Sequence, residues 1–294
     1  MDLRVLRYFV TTVKAGSITK ASQDLFLTQP TLTRQIKELE DELGHELIKR
    51  SRHGITLTEK GSILYEKALE LLDMAHKIKE EIKTDQELHG TITLTAAEAH
   101  AMHIIARAMT KFNQDHPFVR FNIVSAARDL AFARLTSGLC DFALVLTEPN
   151  PEFSFINLHQ ESRWGLIVEE NSPLYNKSTI HAQDLRGLSL MVPQSSLESG
   201  VLDAWLGFSA SKLRITAIHF LLNNALIMAQ EGLGSILTIE KVVNLDPYKL
   251  KFIPLEPQVV SPAFFIWKKA RPLSQAAEHF IPYVKQALKD YQEA

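Results

Sequence analysis

The residues near the start of the chain that are best suited to chemistry are hydrogen-bond donors and acceptors, not nucleophiles. Gln29, Pro30, Thr31, Thr33 and Arg34 crowd together in "TQPTLTRQ". A glutamine amide can read the edge of adenine, and a guanidinium the edge of guanine. Threonine hydroxyls reach phosphate, and their methyls touch thymine. Downstream, Arg50, Arg52 and His53 stand beside Gly54 in "KRSRHG". Positive charge on a loop tip suits a phosphate backbone. Both clusters point to double-stranded DNA.

These groups need elements that hold them outward. Leu3, Leu6, Phe9, Val10 and Val13 share one face of a first helix. "AGS" breaks that pattern, and Ser17 is placed to cap a second helix running through Leu25, with Ile18, Ala21 and Leu25 turned inward. Thr28 can cap a third, with Pro30 in its first turn, where no amide donor is lost. Leu32, Ile36, Leu39 and Leu43 form its apolar stripe. This spacing predicts a helix-turn-helix whose second helix carries the polar cluster at its N-terminal end. The acidic Glu38, Glu40, Asp41 and Glu42 fall at its far end. A plain three-helix bundle with a solvated polar face would share the helix pattern. The pieces Glu46–Lys49 and Ile55–Leu57, flanking the basic tip, read as a hairpin that such a bundle would not require.

Thr58 then caps a long helix running to about Leu88. Leu64, Ala68, Leu71, Ala75, Ile78 and Ile82 follow at alternating spacings of four and three. That is a heptad seam, which predicts pairing with a partner helix; the alternative is packing on its own domain. From Thr91, strand-like and helix-like segments alternate, which predicts parallel βαβ units in two open sheets.

The bulk properties set limits. The 294 residues carry a formal net charge of −2, so nucleic-acid binding must come from local placement. The single Cys140 excludes an intrachain disulfide. The amphipathic N-terminus lacks a secretory pattern, and no stretch has membrane-spanning length, so a cytoplasmic location is expected.

The segment "AGSITKASQDLFLTQPTLTRQIKELEDELGHELIKRSRHGITLTEKG" resembles the DNA-binding domain of the LysR-type transcriptional regulators. The matching pieces are "GSITKAS", "LTQPTLTRQIKELEDELG" and "LTEKG", in the family's order and spacing. Ser22, Thr33 and Ile48 depart from the small alanine, serine and phenylalanine that the family commonly carries there. The resemblance implies an α/β protein in three parts: a winged helix-turn-helix at 1–58, a linker and dimerisation helix at 59–90, and an effector domain at 91–294. That last part resembles the periplasmic binding proteins, with lobe I at about 91–160 and 268–294 and lobe II at about 161–267. It also implies homodimers assembling into homotetramers on operator DNA, contact with RNA polymerase, and regulation in place of catalysis. By position in the motif, Gln29, Pro30, Thr33 and Arg34 fall where the family meets DNA, and Arg50 and Arg52 fall in the wing.

In a two-lobed fold of this kind a small effector lies between the lobes, met by the turns after strands. Those turns carry Ala97, Glu98, Ala99 and His100, then Arg128, Thr147, the pair Ser195 and Ser196, and Asn223. Glu98 is unexpected where the family shows small or hydroxyl residues. It could point away, pair with Arg128, or hold an amino group of the effector. Arg128 favours a carboxylate, so an acidic metabolite ranks just ahead of an amino-bearing one. Glu98, His100 and His103 make only a weak metal pattern without a cysteine. Cys140 reads as a buried inert thiol, and Asp141 as a residue orienting a strand start. "EGLGS" lacks the strand-to-helix order of a dinucleotide fingerprint. No metal or cofactor is expected. Two further readings remain: an enzyme or solute-binding module with a helical accessory domain, and a sequence-blind nucleoid protein. The first needs catalytic groups in the cleft or an export signal. The second leaves the α/β half without a use.

Overall fold

The apolar stripes of the N-terminal helices meet in one core. A computed structural model of the chain describes every residue except Met1, Arg52, His53, residues 83–87, Ser199, Pro247, Tyr248 and Ala294. The side chains of Arg50, Ser51, residues 76–82, Glu198 and Val201 also lie outside the described set. The chain divides into two units, Met1–Asp85 and Gln86–Ala294.

In the first unit, α1 (Leu3–Ala15), α2 (Ile18–Asp24) and α3 (Gln29–Leu43) precede a hairpin of β1 (Ile48–Ser51) and β2 (Gly54–Leu57), and α4 (Glu59–Ile82) follows. Leu6, Phe9, Val10, Ala21, Leu32, Ile36 and Leu39 are buried together. Each large side chain removed from water contributes about 1.5–3 kcal/mol. Thr28 caps α3 as expected: its hydroxyl accepts the Thr31 amide at 3.4 Å. Ser17 occupies the cap position of α2, but its hydroxyl makes no capping bond. Glu40, from the acidic run, has a structural use. Its carboxylate accepts the amides of Leu47 and Ile48 at 2.8 and 3.2 Å, fixing the entry to the hairpin. Thr58 caps α4 by accepting the Gly61 amide at 2.9 Å. A Cβ at Gly61 would stand 1.9 Å from the Leu47 carbonyl oxygen, so the close approach of α4 to that backbone requires glycine.

The second unit starts with β3 (Gly90–Ala96), α5 (Met102–Asp115), β4 (Val119–Ser125), α6 (Arg128–Ser137) and β5 (Phe142–Val145). The long β6 (Phe153–Glu169) then leads to β7 (Ser189–Pro193), α7 (Gln194–Glu198), α8 (Val201–Leu206), β8 (Arg214–His219), α9 (Leu222–Gln230), β9 (Ser235–Ile239), β10 (Leu250–Pro254), β11 (Val260–Lys268) and α10 (Gln275–Gln292). The strands run in the order β4-β3-β5-β11-β6-β9-β7-β8, and β10 also pairs with β6. The expected parallel βαβ units are present, within a sheet that is mixed overall. β3 is parallel to β4 and β5, and β7 to β8 and β9, whereas β6, β10 and β11 run antiparallel to their partners.

The antiparallel pair β6 and β11 passes through both lobes, and this makes two lobes out of one strand path. Its first-lobe half pairs Phe153–Asn157 with Phe264–Lys268, and its second-lobe half pairs Glu161–Arg163 with Val260–Pro262. The register shifts between Pro262 and Phe264, and His159 is left-handed, with φ 49°. Phe264–Ile266 also pair with β5 of the first lobe, although they fall within the segment expected for lobe II. The first lobe is filled by Phe112, Phe142, Phe265 and Phe280 on one side of its sheet, and by Ala131, Leu135, Cys140 and Ile266 on the other. The second lobe has matching layers around Leu166, Leu190 and Leu237, and around Ile167, Met191 and Leu226. Asp141 orients a strand start as expected, accepting the Thr93 amide at 2.7 Å. Cys140 is buried.

Candidate nucleic-acid face and ligand cleft

On α3 the stripe Leu32, Ile36 and Leu39 turns inward, which sets Gln29, Pro30 and Arg34 on the solvent side, with Thr31 and Thr33 half-buried. The Arg34 side chain is 71% exposed, and its Nε stands 3.6 Å from Glu38 Oε1. An ion pair that open contributes little and leaves the guanidinium available. The Thr31 hydroxyl shares a 2.8 Å hydrogen bond with that of Thr28. The turn before α3 holds Phe26, 96% exposed and left-handed at φ 55°, an unusual setting for a bulky residue. The hairpin pairs Ile48 with Leu57 and Arg50 with Ile55, and the Ile55 amide donates to the Gly16 carbonyl at 3.1 Å. The expected tip residues Arg52 and His53, and the Arg50 side chain, lie outside the described residues.

The expected seam on α4 needs correction at its start. Ala68 is 0% exposed and packs with Leu64 into the core of its own unit, because α4 crosses α1 there. The outward apolar face includes Leu71, 41% exposed, with Ala75 half-buried. The side chains of Ile78 and Ile82 lie outside the described residues.

Between the lobes of the second unit lies a cavity of about 200 Å³. On the first-lobe side it is walled by Ala97 and Glu98 after β3, Ser125–Asp129 after β4, and Leu144–Thr147 at the end of β5. The second lobe contributes Pro193, Ser195, His219–Leu222, Thr238, Ile239 and Val242, and the crossing strands contribute Trp164 and Ser261. Of the residues expected from sequence, Ala97, Glu98, Arg128, Thr147 and Ser195 are brought together in this wall. Four others lie outside it. Ala99 is buried. His100 is half-buried, and its Nε2 is 3.0 Å from the Tyr291 hydroxyl. Ser196 is buried, its hydroxyl donating to the Pro193 carbonyl at 2.8 Å. Asn223 is exposed on α9. A two-residue window after each strand cannot say which side chain faces across, and a helix start turns the second residue away.

Of the expected alternatives for Glu98, the pair with Arg128 is not formed. Its Oε2 accepts the Leu222 amide at 3.1 Å, the free N–H at the start of α9. It bridges from one lobe to the other. Arg128 pairs with its neighbour Asp129, Nε to Oδ1 at 2.9 Å, and not with Glu98. Among the described residues no group of three or more His, Cys, Asp or Glu is arranged to hold a metal.

His219 was missed from sequence. It ends β8 and is 7% exposed; its ring nitrogens are shut off from solvent, and the Leu237 backbone approaches the ring without a hydrogen bond of good geometry. Burial pushes its pKa below the ordinary value near 6.5, and the Leu237 backbone opposes this in part. A buried polar group left unsatisfied costs about 1–3 kcal/mol. No pattern in the sequence marks it: between apolar Ile218 and Phe220 a histidine reads as the outward position of a strand, yet those two neighbours are the exposed ones. Behind the cavity, Arg163 and Glu240 form a two-pronged ion pair, Nε–Oε1 at 3.0 Å and Nη2–Oε2 at 2.7 Å. Hydrogen bonding from Arg163 holds the Glu240 carboxyl below the usual range.

Comparison with known proteins matches both units. Residues 3–62 fit the model described as "Bacterial regulatory helix-turn-helix protein, lysR family", and residues 85–289 fit "LysR substrate binding domain". The chain is 25% identical over 295 residues to the Hca operon transcriptional activator HcaR of Escherichia coli, covering 98% of each. Among solved structures, CbnR, a LysR family transcriptional regulator, aligns with a TM-score of 0.72 at 20% identity, over 99% of this chain and 100% of that one. HinK, a LysR family regulator from Pseudomonas aeruginosa, aligns with a TM-score of 0.52 at 25% identity, covering 98% of each chain.

Proposed function

Because the chain belongs to the LysR family of bacterial transcriptional regulators, we propose that it reads an operator with the exposed N-terminal end of α3 and answers to a small molecule held in the interlobe cavity. It is a DNA-binding transcriptional regulator with an effector-binding domain. In our reading Gln29 and Arg34 meet base edges, Pro30, Thr31 and Thr33 set the approach to the backbone, and Arg50, Arg52 and His53 lie along phosphates. The observation that carries this is the exposure of Gln29 and Arg34 above the buried stripe of the same helix.

Dimers form through the outward face of α4, and dimers join into tetramers. Exposed Ile123 and Leu130 in one lobe, and Ile218, Phe220 and Ile227 in the other, offer apolar surface for self-association. Effector binding changes the relation of the lobes and, through the assembly, the spacing of the DNA-reading helices and the access of RNA polymerase. We place the protein in the cytoplasm as a regulator and not an enzyme. No helix among the described residues is long and apolar enough to cross a membrane.

The test is a footprint on the DNA beside the protein's own gene. Arg34→Ala should lose the difference between specific and random DNA by about ten- to a hundred-fold, the size of one good base contact. Equal weakening on both DNAs would remove Arg34 from base reading.

A further inference from the structure

The turns after two neighbouring strands of the first lobe bring opposite charges to one cavity. β3 and β4 run parallel and in register, with Ala96 beside Ser125, and the Ala126 amide donates to the Ala96 carbonyl at 3.1 Å. Neighbouring strands lie about 4.8 Å apart, so Glu98 and Arg128 leave the sheet side by side, just beyond those paired ends. Both line the interlobe cavity. They do not spend their charges on each other. Glu98 reaches to the second lobe, where Oε2 accepts the Leu222 amide at 3.1 Å, and its Oε1 has no partner among the described residues. Arg128 donates its Nε–H to Asp129 Oδ1 at 2.9 Å. The Asp129 side chain is 61% exposed, so that pair is screened, and the remaining N–H groups of the guanidinium have no acceptor among the described residues. The surrounding wall is apolar at Leu144, Trp164, Phe220, Ile239 and Val242. At about 200 Å³ the space lies below the roughly 300–1,000 Å³ of drug-sized sites. A plain acid in this space would satisfy Arg128 but meet Glu98 at like charge, and a plain amine would do the reverse. A ligand that carries both charges satisfies both groups.

We propose that the cleft takes a small α-amino acid with an apolar side chain. Glu98 Oε1 accepts from its ammonium group, Arg128 donates to its carboxylate, and its side chain packs on Trp164, Ile239 and Val242. Such a ligand carries its two charges on one carbon, which suits two groups that rise from adjacent strands. This deepens the effector reading above and rests on it. The sequence alone offered a carboxylate for Arg128 and an amino group for Glu98 as alternatives; with the Glu98–Arg128 pair unformed, they become two ends of one molecule.

The experiment uses the full chain with L-valine, L-leucine and L-phenylalanine. Each is compared with the amine that lacks its carboxylate and the acid that lacks its amino group. Binding is followed by calorimetry and by the rise in melting temperature. At least one amino acid should bind about ten-fold or more tightly than both of its partial analogues, the size of one hydrogen bond to a charged group. Glu98→Gln, which keeps an oxygen for the Leu222 amide, should weaken that amino acid about ten-fold and leave the matching acid no weaker. Arg128→Gln should weaken it as much and leave the matching amine no weaker. The proposal is overturned if none of the three amino acids binds, if every one is matched by its acid or its amine, or if affinity is unchanged in either folded variant. Ala126→Trp, or Thr147→Trp should the first fail to fold, fills the cavity and separates this from failure of the cleft reading. Acid binding that the filled variant abolishes refutes the amino acid and leaves the cleft as the site. Binding that survives the filling refutes the cleft and the proposal together.

Discussion

Glu240 and Arg163 lie where β6 enters the second lobe, and their pairing is the best-made charge contact behind the cavity. Glu240 also accepts the Arg163 amide, so removing its charge weakens several bonds at once. Because half of the Arg163 side chain is exposed, solvent screens part of the gain. Glu240→Gln should lower stability by about 1–2 kcal/mol at neutral pH, measured by denaturant unfolding. The carboxyl's pKa is depressed in the fold, so this contribution is present above the ordinary value near 4.5 and is lost as pH falls through the folded value. The gap between Glu240→Gln and wild type should therefore close in acid; a gap that persists there would assign the loss to packing. Phe26 offers an opposite case. It is exposed, so it gains nothing from burial, and it sits in a left-handed conformation that asparagine tolerates better. Phe26→Asn should raise the stability of the first unit by about 1 kcal/mol, read from thermal unfolding.

The elements are held at two close backbone approaches. At Gly61 an added Cβ would strike the Leu47 carbonyl. At Gly165, on β6, it would stand 2.4 Å from both the Ile253 carbonyl oxygen and the Phe252 ring. Gly61→Ala should destabilise the first unit and Gly165→Ala the second, each by about 1–3 kcal/mol or more. Proteolysis of each variant should expose a different unit; loss of the same unit in both would contradict this division. On α4, Leu71→Asp should abolish dimers in sedimentation while leaving the helical signal intact, because Leu71 is outside the core that holds Ala68. An unchanged sedimentation coefficient would move the pairing surface elsewhere. The helix boundaries near Gly16, Thr28 and Gly44 were legible because caps and stripes are local. The commitment of Leu64 and Ala68 was not, since a heptad looks the same whether a helix meets α1 or a partner.

For the whole molecule, the histidines set the acid response. His100 and His219 both have pKa values lowered chiefly by burial from an ordinary value near 6.5. An unfolded chain takes up these protons first, so stability is full above about pH 6.5 and declines as pH drops below it. The slope is at most about 1.4 kcal/mol per pH unit for each ring. Asp184, held low by hydrogen bonds from Lys177 and the His181 backbone, adds with Glu240 to a second decline in the carboxylate range. Melting temperature should fall in two stages between neutral pH and acid, and His219→Phe should shallow the first. A single stage at carboxylate pH would exclude the rings.

The sequence alone determined the helices and hairpin of the first unit, the alternating strands and helices up to β9, the outward polar start of α3 and the family resemblance, because these rest on periodicity, capping and motif spacing between near neighbours; β10, β11 and the first half of β6 carried no such pattern. Tertiary structure alone decided what faces what across the chain. β6 and β11 became the antiparallel crossing between lobes, Glu98 found the start of α9, and the His219 ring nitrogens were shut off from solvent. Those outcomes depend on pairings between residues as far apart as Glu98 and Leu222, which no local pattern encodes. The charge that a ligand would meet is therefore set by which side chains have already found one another.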